Sequence, residues 1–290
     1  MKNQEQGTLY ICGTPIGNLE DITLRSLKIL RKVDLIAAED TRHTKKLLSH
    51  YNIKKSLTSY HEFNEEKKSN TILKYLKNGQ DVALVSDAGM PGICDPGFQI
   101  INLVIKNNIQ VVPVPGVTAL TTALVISGFE ISSFVFEGFI PKKKAEREKY
   151  FSGLKKEKRT IIFYESPNRI KDTLSIIKKT IGDRRIVITR EMTKKFEEIK
   201  RGYVSEIINE ISGQNIKGEL TIVLEGFKER EETNYWTNDA ELIDEIKKKM
   251  KNYLKKGYYN KDIVLLITSE YNVSKNWVYQ NIIEQRNQAF

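Results

Sequence analysis

The chain has 290 residues, 40% hydrophobic and 29% charged, with 47 lysines and arginines, 37 acids and a formal net charge of +10. This balance excludes an intrinsically disordered chain and gives enough length for two cores and a small appendage. The charge favours a polyanionic partner, but a lysine-rich composition produces the same surplus without one.

In chain order, Leu9 to Cys12 reads as a strand, Leu24 to Val33 as a helix, Asp34 to Ala38 as a strand and Thr41 towards Tyr51 as a helix. A strand at Asp81 to Ser86, a helix at Phe98 to Ile105 and a strand at Gln110 to Val114 continue the alternation. Nearly continuous apolar strands between helices predict an α/β fold with a mostly parallel sheet. A helix over Thr118 to Ile126 leads into a second unit. Its strands are expected at Phe134 to Glu137, Thr160 to Tyr164, Arg185 to Thr189 and Leu220 to Leu224, and its helices at Lys143 to Lys156, Asn168 to Thr180 and Val204 to Ile211. Lys228 to Thr237 reads as a polar linker. Beyond it, Ala240 to Leu254, Asn260 to Glu270 and Ser274 to Ile283 read as three helices. The last two have Asn260 and Ser274 as N-caps and make a helix-turn-helix outline across Tyr271-Asn272-Val273. The expected partition is an α/β domain over 1–116, a second α/β domain over 117–228 with a cleft between them, and a linker with helical tail over 229–290.

Met1 to Gly7 lacks the apolar stretch of a signal peptide, and the apolar runs near Val111 and Val125 are broken short of a membrane span. Cys12 and Cys94 lie in separate segments, with no CxxC pair or His/Cys cluster at zinc spacing. The expectation is a soluble cytoplasmic protein with reduced thiols, no membrane partner and no metal.

Five segments concentrate the chemistry. Gly13-Thr14-Pro15-Ile16-Gly17-Asn18 follows the first strand, where glycines let a ligand approach the backbone. It matches neither the dinucleotide fingerprint nor a P-loop, and a tight structural turn explains it equally well. Ser86 to Gly97 packs three glycines, two prolines and two carboxylates into one loop after a buried strand. Within it Asp95 is expected to cap the following helix, with Asp87 the better ligand candidate. Pro113 to Ala119 is a rigid turn in which Thr118 either caps a helix or meets a ligand. Ala38-Glu39-Asp40-Thr41-Arg42-His43-Thr44 places acid, base and cation at a strand end, the position of ligands in open α/β sheets. Finally, Phe163 to Arg169 ends a strand of the second unit, with Asn168 the expected cap of the next helix.

Taken in this order, the segments resemble the small-subunit ribosomal RNA methyltransferase I family of the tetrapyrrole methylase superfamily. The match is carried by Gly13 to Leu19 with Asp21-Ile22-Thr23, Ala38 to Arg42, Ser86 to Gly92 with Asp95-Pro96-Gly97, Pro115-Gly116-Val117, and Tyr164 to Pro167 with Arg169. The resemblance spans roughly residues 8 to 226. It implies a homodimer of two-domain α/β subunits that binds S-adenosylmethionine in the interdomain cleft. Position by position, it implies that Pro15, Asp87, Gly89, Met90, Thr118 and Ala119 wrap the cofactor, with Tyr164 and Leu220 from the second domain. It further implies that the substrate is a cytidine in the decoding region of 16S ribosomal RNA, methylated on its ribose 2′-oxygen within the small subunit. Glu39, Asp40, Arg42 and His43 are the residues expected to take up the proton or to orient the ribose and phosphate. Pro15 and Asn18 stand where the tetrapyrrole-modifying branch has further glycines and a closing Asp, which disfavours the alternative of a corrinoid or porphyrin substrate. A non-catalytic nucleic-acid regulator built on the tail is a third reading, disfavoured by the scarcity of arginine in that helix pair.

Overall fold

The computed structural model describes residues 6–228, 240–271 and 273–287. By contacts the chain divides into two units, 1–227 and 228–290.

The larger unit contains two five-stranded sheets. The first is all parallel, in the order β3-β2-β4-β1-β5, formed by β1 (Leu9–Cys12), β2 (Leu35–Ala38), β3 (Ser56–Ser59), β4 (Val82–Val85) and β5 (Val111–Val114). β2 and β4 are buried at every position because helices cover both faces, which explains their unbroken apolar sequence. On one face α1 (Leu24–Lys32) and α2 (Thr41–His50) bury Leu27, Leu30, Leu47 and Leu48 against Ile36, Ala38 and Val85. On the other, α3 (Glu65–Lys77) and α4 (Phe98–Lys106) bury Ile72, Leu76, Ile100 and Val104 against Leu9, Leu35 and Leu84.

The second sheet, in the order β6-β7-β10-β8-β9, is mixed. β6 (Phe134–Phe139) runs parallel to β7 (Thr160–Glu165), whereas β8 (Arg185–Arg190), β9 (Glu198–Tyr203) and β10 (Leu220–Leu224) pair antiparallel. α6 (Lys144–Gly153), α7 (Ile170–Ile181) and α8 (Val204–Glu210) cover one face through Phe151, Leu174, Ile177 and Ile207. The other face packs α5 (Ala119–Val125) together with Ile16, which arrives from the first glycine loop. The first loop thus packs directly on the second sheet.

Residues 240–287 form a separate unit of α9 (Ala240–Lys255), α10 (Asn260–Glu270) and α11 (Lys275–Asn287) around Ile246, Met250, Ile263, Ile267, Val278 and Ile282. No helix among the described residues is long and apolar enough to cross a membrane. Most of the expected linker lies outside the described residues, as does Asn272.

Three expected caps are corrected. Gly97, not Asp95, precedes α4, because the loop turns once more at Gly97 before the helix begins. Arg169 stands at the α7 N-cap without a side-chain cap bond, one residue beyond Asn168. Asn260 is already inside α10, whose N-cap position is Tyr259. Ser274 does cap, its Oγ accepting from the Trp277 N–H at 3.0 Å.

Candidate active site

The C-terminal ends of β1, β2, β4 and β7 converge on one cavity of ≈ 400 Å³, lined from both halves of the larger unit. Its floor is made by glycine loops clasped to one another. The Thr14 N–H donates to the Gly89 carbonyl at 2.9 Å and the Gly89 N–H returns a bond to Thr14 at 3.1 Å. The Gly13 N–H donates to the Val114 carbonyl at 3.1 Å. A Cβ on Gly13 would lie 2.6 Å from the Gly116 Cα, so that contact excludes any side chain at position 13. Gly89 holds φ +80°, a conformation that an L-residue adopts only with strain.

The loop after β2 and the loop after β4 are tied by reciprocal bonds. The Asp40 N–H donates to Asp87 Oδ1 at 3.1 Å, and the Asp87 N–H donates to Glu39 Oε2 at 3.2 Å. This places Glu39 and Asp87 together in the cavity wall, with Asp95 nearby. Burial pushes the Glu39 carboxyl up, and the neighbouring Asp87 and Asp40 charges push the same way. Burial also pushes Asp95 up to about 7, with the Glu39 charge as the second cause and a hydrogen bond from Ser86 opposing it. A carboxyl poised there takes up or releases a proton near neutrality.

Across the cavity stand Phe139, Tyr164, Glu165, Ser166, Pro167 and Leu220. Tyr164 is wedged between Phe136 and Phe139, at centroid distances of 5.2 and 5.4 Å, and burial raises its phenol to about 12. It is therefore a neutral hydroxyl at physiological pH. Glu165, almost fully buried, is held by the Thr173 hydroxyl at 2.6 Å, by the Ser166 N–H and by Arg169. Its oxygens are committed to shaping this wall.

Of the cofactor residues expected from the sequence, Asp87, Gly89, Met90, Thr118, Ala119, Tyr164 and Leu220 line the cavity. Pro15 does not: it is buried, and its neighbour Ile16 lines the wall. Of the expected catalytic set, only Glu39 lines the cavity. Asp40 instead caps α2, with Oδ1 accepting from the Arg42 N–H at 2.8 Å, and grips the Arg42 guanidinium at 2.7 Å. Arg42 and His43 are exposed on the first turn of α2. Sequence reasoning missed Asp95 by assigning it to a helix cap. The left-handed Cys94 (φ 64°) that turns the loop there left no pattern to read. It also missed Phe139, although a strand parallel to β7 must end beside it.

A smaller pocket of ≈ 160 Å³ lies over β8 and β9, lined by Arg190, Glu198 and Lys200. Its charges already satisfy one another, with Glu198 2.8 Å from each cation. It offers a ligand little to bind.

Comparison with known proteins agrees with this geometry. Residues 8–208 match the family described as tetrapyrrole (corrin/porphyrin) methylases. The chain is 44% identical over 278 residues to ribosomal RNA small subunit methyltransferase I of Bacillus subtilis, covering 95% of this chain and 94% of that one. It is 53% identical over 220 residues to the protein of that name from Thermotoga maritima, covering 76% of this chain and 99% of that one. Among solved structures, the methyltransferase CobJ (TM-score 0.57, 17% identity, 76% of this chain and 94% of that one) and diphthine synthase (TM-score 0.57, 13% identity, 76% and 90%) share the fold. Sheet order, clasped loops and sequence identity lead to one assignment: the chain belongs to the ribosomal RNA small subunit methyltransferase I family of the tetrapyrrole methylases.

Proposed function

We propose that this protein methylates the ribose 2′-oxygen of a cytidine in the decoding region of 16S ribosomal RNA, acting as a cytoplasmic homodimer on the small ribosomal subunit. Membership of the family makes it a methyltransferase with S-adenosylmethionine as donor. The observation that carries the finer reading is a carboxylate-lined cavity in a chain 44% identical to a small-subunit RNA methyltransferase over 95% of its length.

The cavity fits the donor. Its ≈ 400 Å³ is within the range of small-molecule sites, Ile16, Met90, Ile93 and Phe139 supply apolar wall, and Glu39, Asp87 and Asp95 supply negative charge for a cationic ligand. We assign its binding to Asp87, Gly89, Met90, Thr118 and Ala119 on one side and to Tyr164 and Leu220 on the other, with Pro15 setting the position of Ile16. When bound, the donor supplies a methyl group already activated by a sulfonium.

The remaining work belongs to the chain's own groups. The ribose hydroxyl must be oriented and must lose its proton as the oxygen is methylated. Asp95 is the group we assign to receive that proton, and Glu39, tied to the Asp87 backbone, the group that orients the hydroxyl. Asp40 fixes Arg42 at the rim, where Arg42 and His43 meet the phosphate. Because side chains read a paired A-form helix poorly, the nucleotide is presented unpaired or flipped out.

The test is methyl transfer from labelled S-adenosylmethionine to small subunits from cells lacking the corresponding gene, with the label mapped by digestion and mass spectrometry. Label on a cytidine 2′-oxygen of the decoding region is expected. Transfer only to a tetrapyrrole would move the substrate to the small-molecule branch.

A further inference from the structure

The positive charge of the first half is denser on one face of its sheet than on the other. The helices α1 and α2 carry seven lysines and arginines and no acid. The helices α3 and α4, on the opposite face, carry five against Glu65 and Glu66. A surface that merely kept the protein soluble would not need this asymmetry.

The distribution along α2 is sharper still. Arg42, Lys45, Lys46, Ser49 and His50 recur at helical spacing and line a single shallow groove, while Thr44, Leu47 and Leu48 face the core. Asp40 holds Arg42, but Lys45 and Lys46 have no carboxylate partner among the described residues. On the neighbouring helix, Arg25, Lys28 and Arg31 are exposed on the same side of the sheet, and Arg31 bonds the carbonyl of Tyr51 just beyond α2. The stripe also has a fixed relation to the cavity. It starts three residues after Glu39, which lines the cavity, and Asp40, the cap of α2, is bonded to Asp87 in the cavity wall.

We propose that this stripe is the docking surface for the ribosomal RNA backbone flanking the nucleotide that enters the cavity, with Lys45 and Lys46 as its principal phosphate contacts. The inference rests on the RNA reading above and adds where the strand runs: out of the cavity past Arg42 and along α2. From Arg42 to His50 the helix rises ~12 Å, enough to lie along a few nucleotides of backbone. Lys45 and Lys46 are point charges and Arg42 is engaged by Asp40, so this surface supplies affinity and register, and the cavity supplies choice of nucleotide.

The test compares two double variants of the full chain, Lys45→Gln with Lys46→Gln on α2, and Lys74→Gln with Lys77→Gln on the opposite face. KM for small subunits and the salt dependence of binding to them are measured, with S-adenosylmethionine affinity and thermal unfolding as controls for folding. Losing two phosphate contacts lowers the log–log salt slope by roughly 1.4 to 1.8. The α2 pair is expected to show that drop and a several-fold higher KM with cofactor affinity unchanged, and the α3 pair to match the wild type. An α2 pair with wild-type slope and KM would overturn the proposal, as would equal effects from the two pairs, which would indicate a diffuse field. Absence of label from the wild-type protein itself would remove the RNA reading, and the stripe's role with it.

Discussion

Asp95 carries the most informative titration in the molecule. The folded chain holds its proton up to about 7, whereas an unfolded chain releases it in the ordinary carboxylate range. Between those two values the native state binds more protons than the unfolded one, so this group lowers stability as pH rises through the window. Asp95→Asn removes the charge while keeping the shape. Its melting temperature is expected to exceed the wild type's at pH 8 and to approach it at pH 4, by calorimetry at both values. If Asp95 receives the ribose proton, kcat of the wild type rises with pH through about 7 and then levels. The Asn variant then loses on the order of a hundredfold or more in kcat, with cofactor affinity kept. Gly13→Ala is the opposite kind of change. Its Cβ would meet the Gly116 backbone at 2.6 Å and the Met90 sulfur at 2.8 Å, forcing apart the loops after β1 and β5. A loss of about 1–3 kcal/mol in denaturant unfolding is expected, with weakened cofactor binding.

At the scale of elements, α5 shows how a cap and a binding wall share one residue. Thr118 Oγ1 accepts from the Thr121 N–H at 3.2 Å and sits 2.8 Å from the Thr121 hydroxyl, yet Thr118 also lines the cavity. Thr118→Ser is expected to be nearly silent. Thr118→Val should cost about 1 kcal/mol by urea titration, and calorimetric titration should show the donor bound more weakly. The cap and the buried strands were legible in advance for a common reason: each leaves a local mark, a hydroxyl before an apolar run or an unbroken run of Val, Ile, Leu and Ala. What escaped had no such mark. β3, Ser-Leu-Thr-Ser, is a half-polar edge strand of the first sheet, and β9 carries Glu, Lys and Arg along an edge of the second, as exposed edges do. α3 opens with Glu65-Glu66-Lys67-Lys68, so its buried positions Ile72 and Leu76 begin late. Within the site, the glycine loops and Glu39 were readable from composition and position. Asp95 and Phe139 enter the cavity only through turns at Cys94 and Gly138, both with positive φ, and such turns are settled by tertiary contact.

For the molecule as a whole, the helical tail is a unit of its own. Among its described residues six buried apolar side chains form their own cluster, and the Thermotoga maritima relative aligns over 220 residues that make up 99% of it, close to the length of unit 1–227. A chain ending at Lys228 is therefore expected to unfold in one cooperative transition and to bind S-adenosylmethionine with wild-type affinity in a titration. Its affinity for small subunits should fall. Loss of cofactor binding would show that the tail supports the fold. The order of strands in the first sheet has a consequence for how the protein is made. β1, the first strand of its sheet to be synthesised, lies between β4 and β5, the last two. It has no neighbour until about seventy further residues have been synthesised, and the sheet closes only with Val114. Through that interval an apolar strand and the glycine loop behind it are exposed to solvent, and the donor cannot bind. The sheet's last-made strand is thus the step at which the first half closes its own core and gains a floor for the active site, while Ile16 waits for the second sheet to cover it.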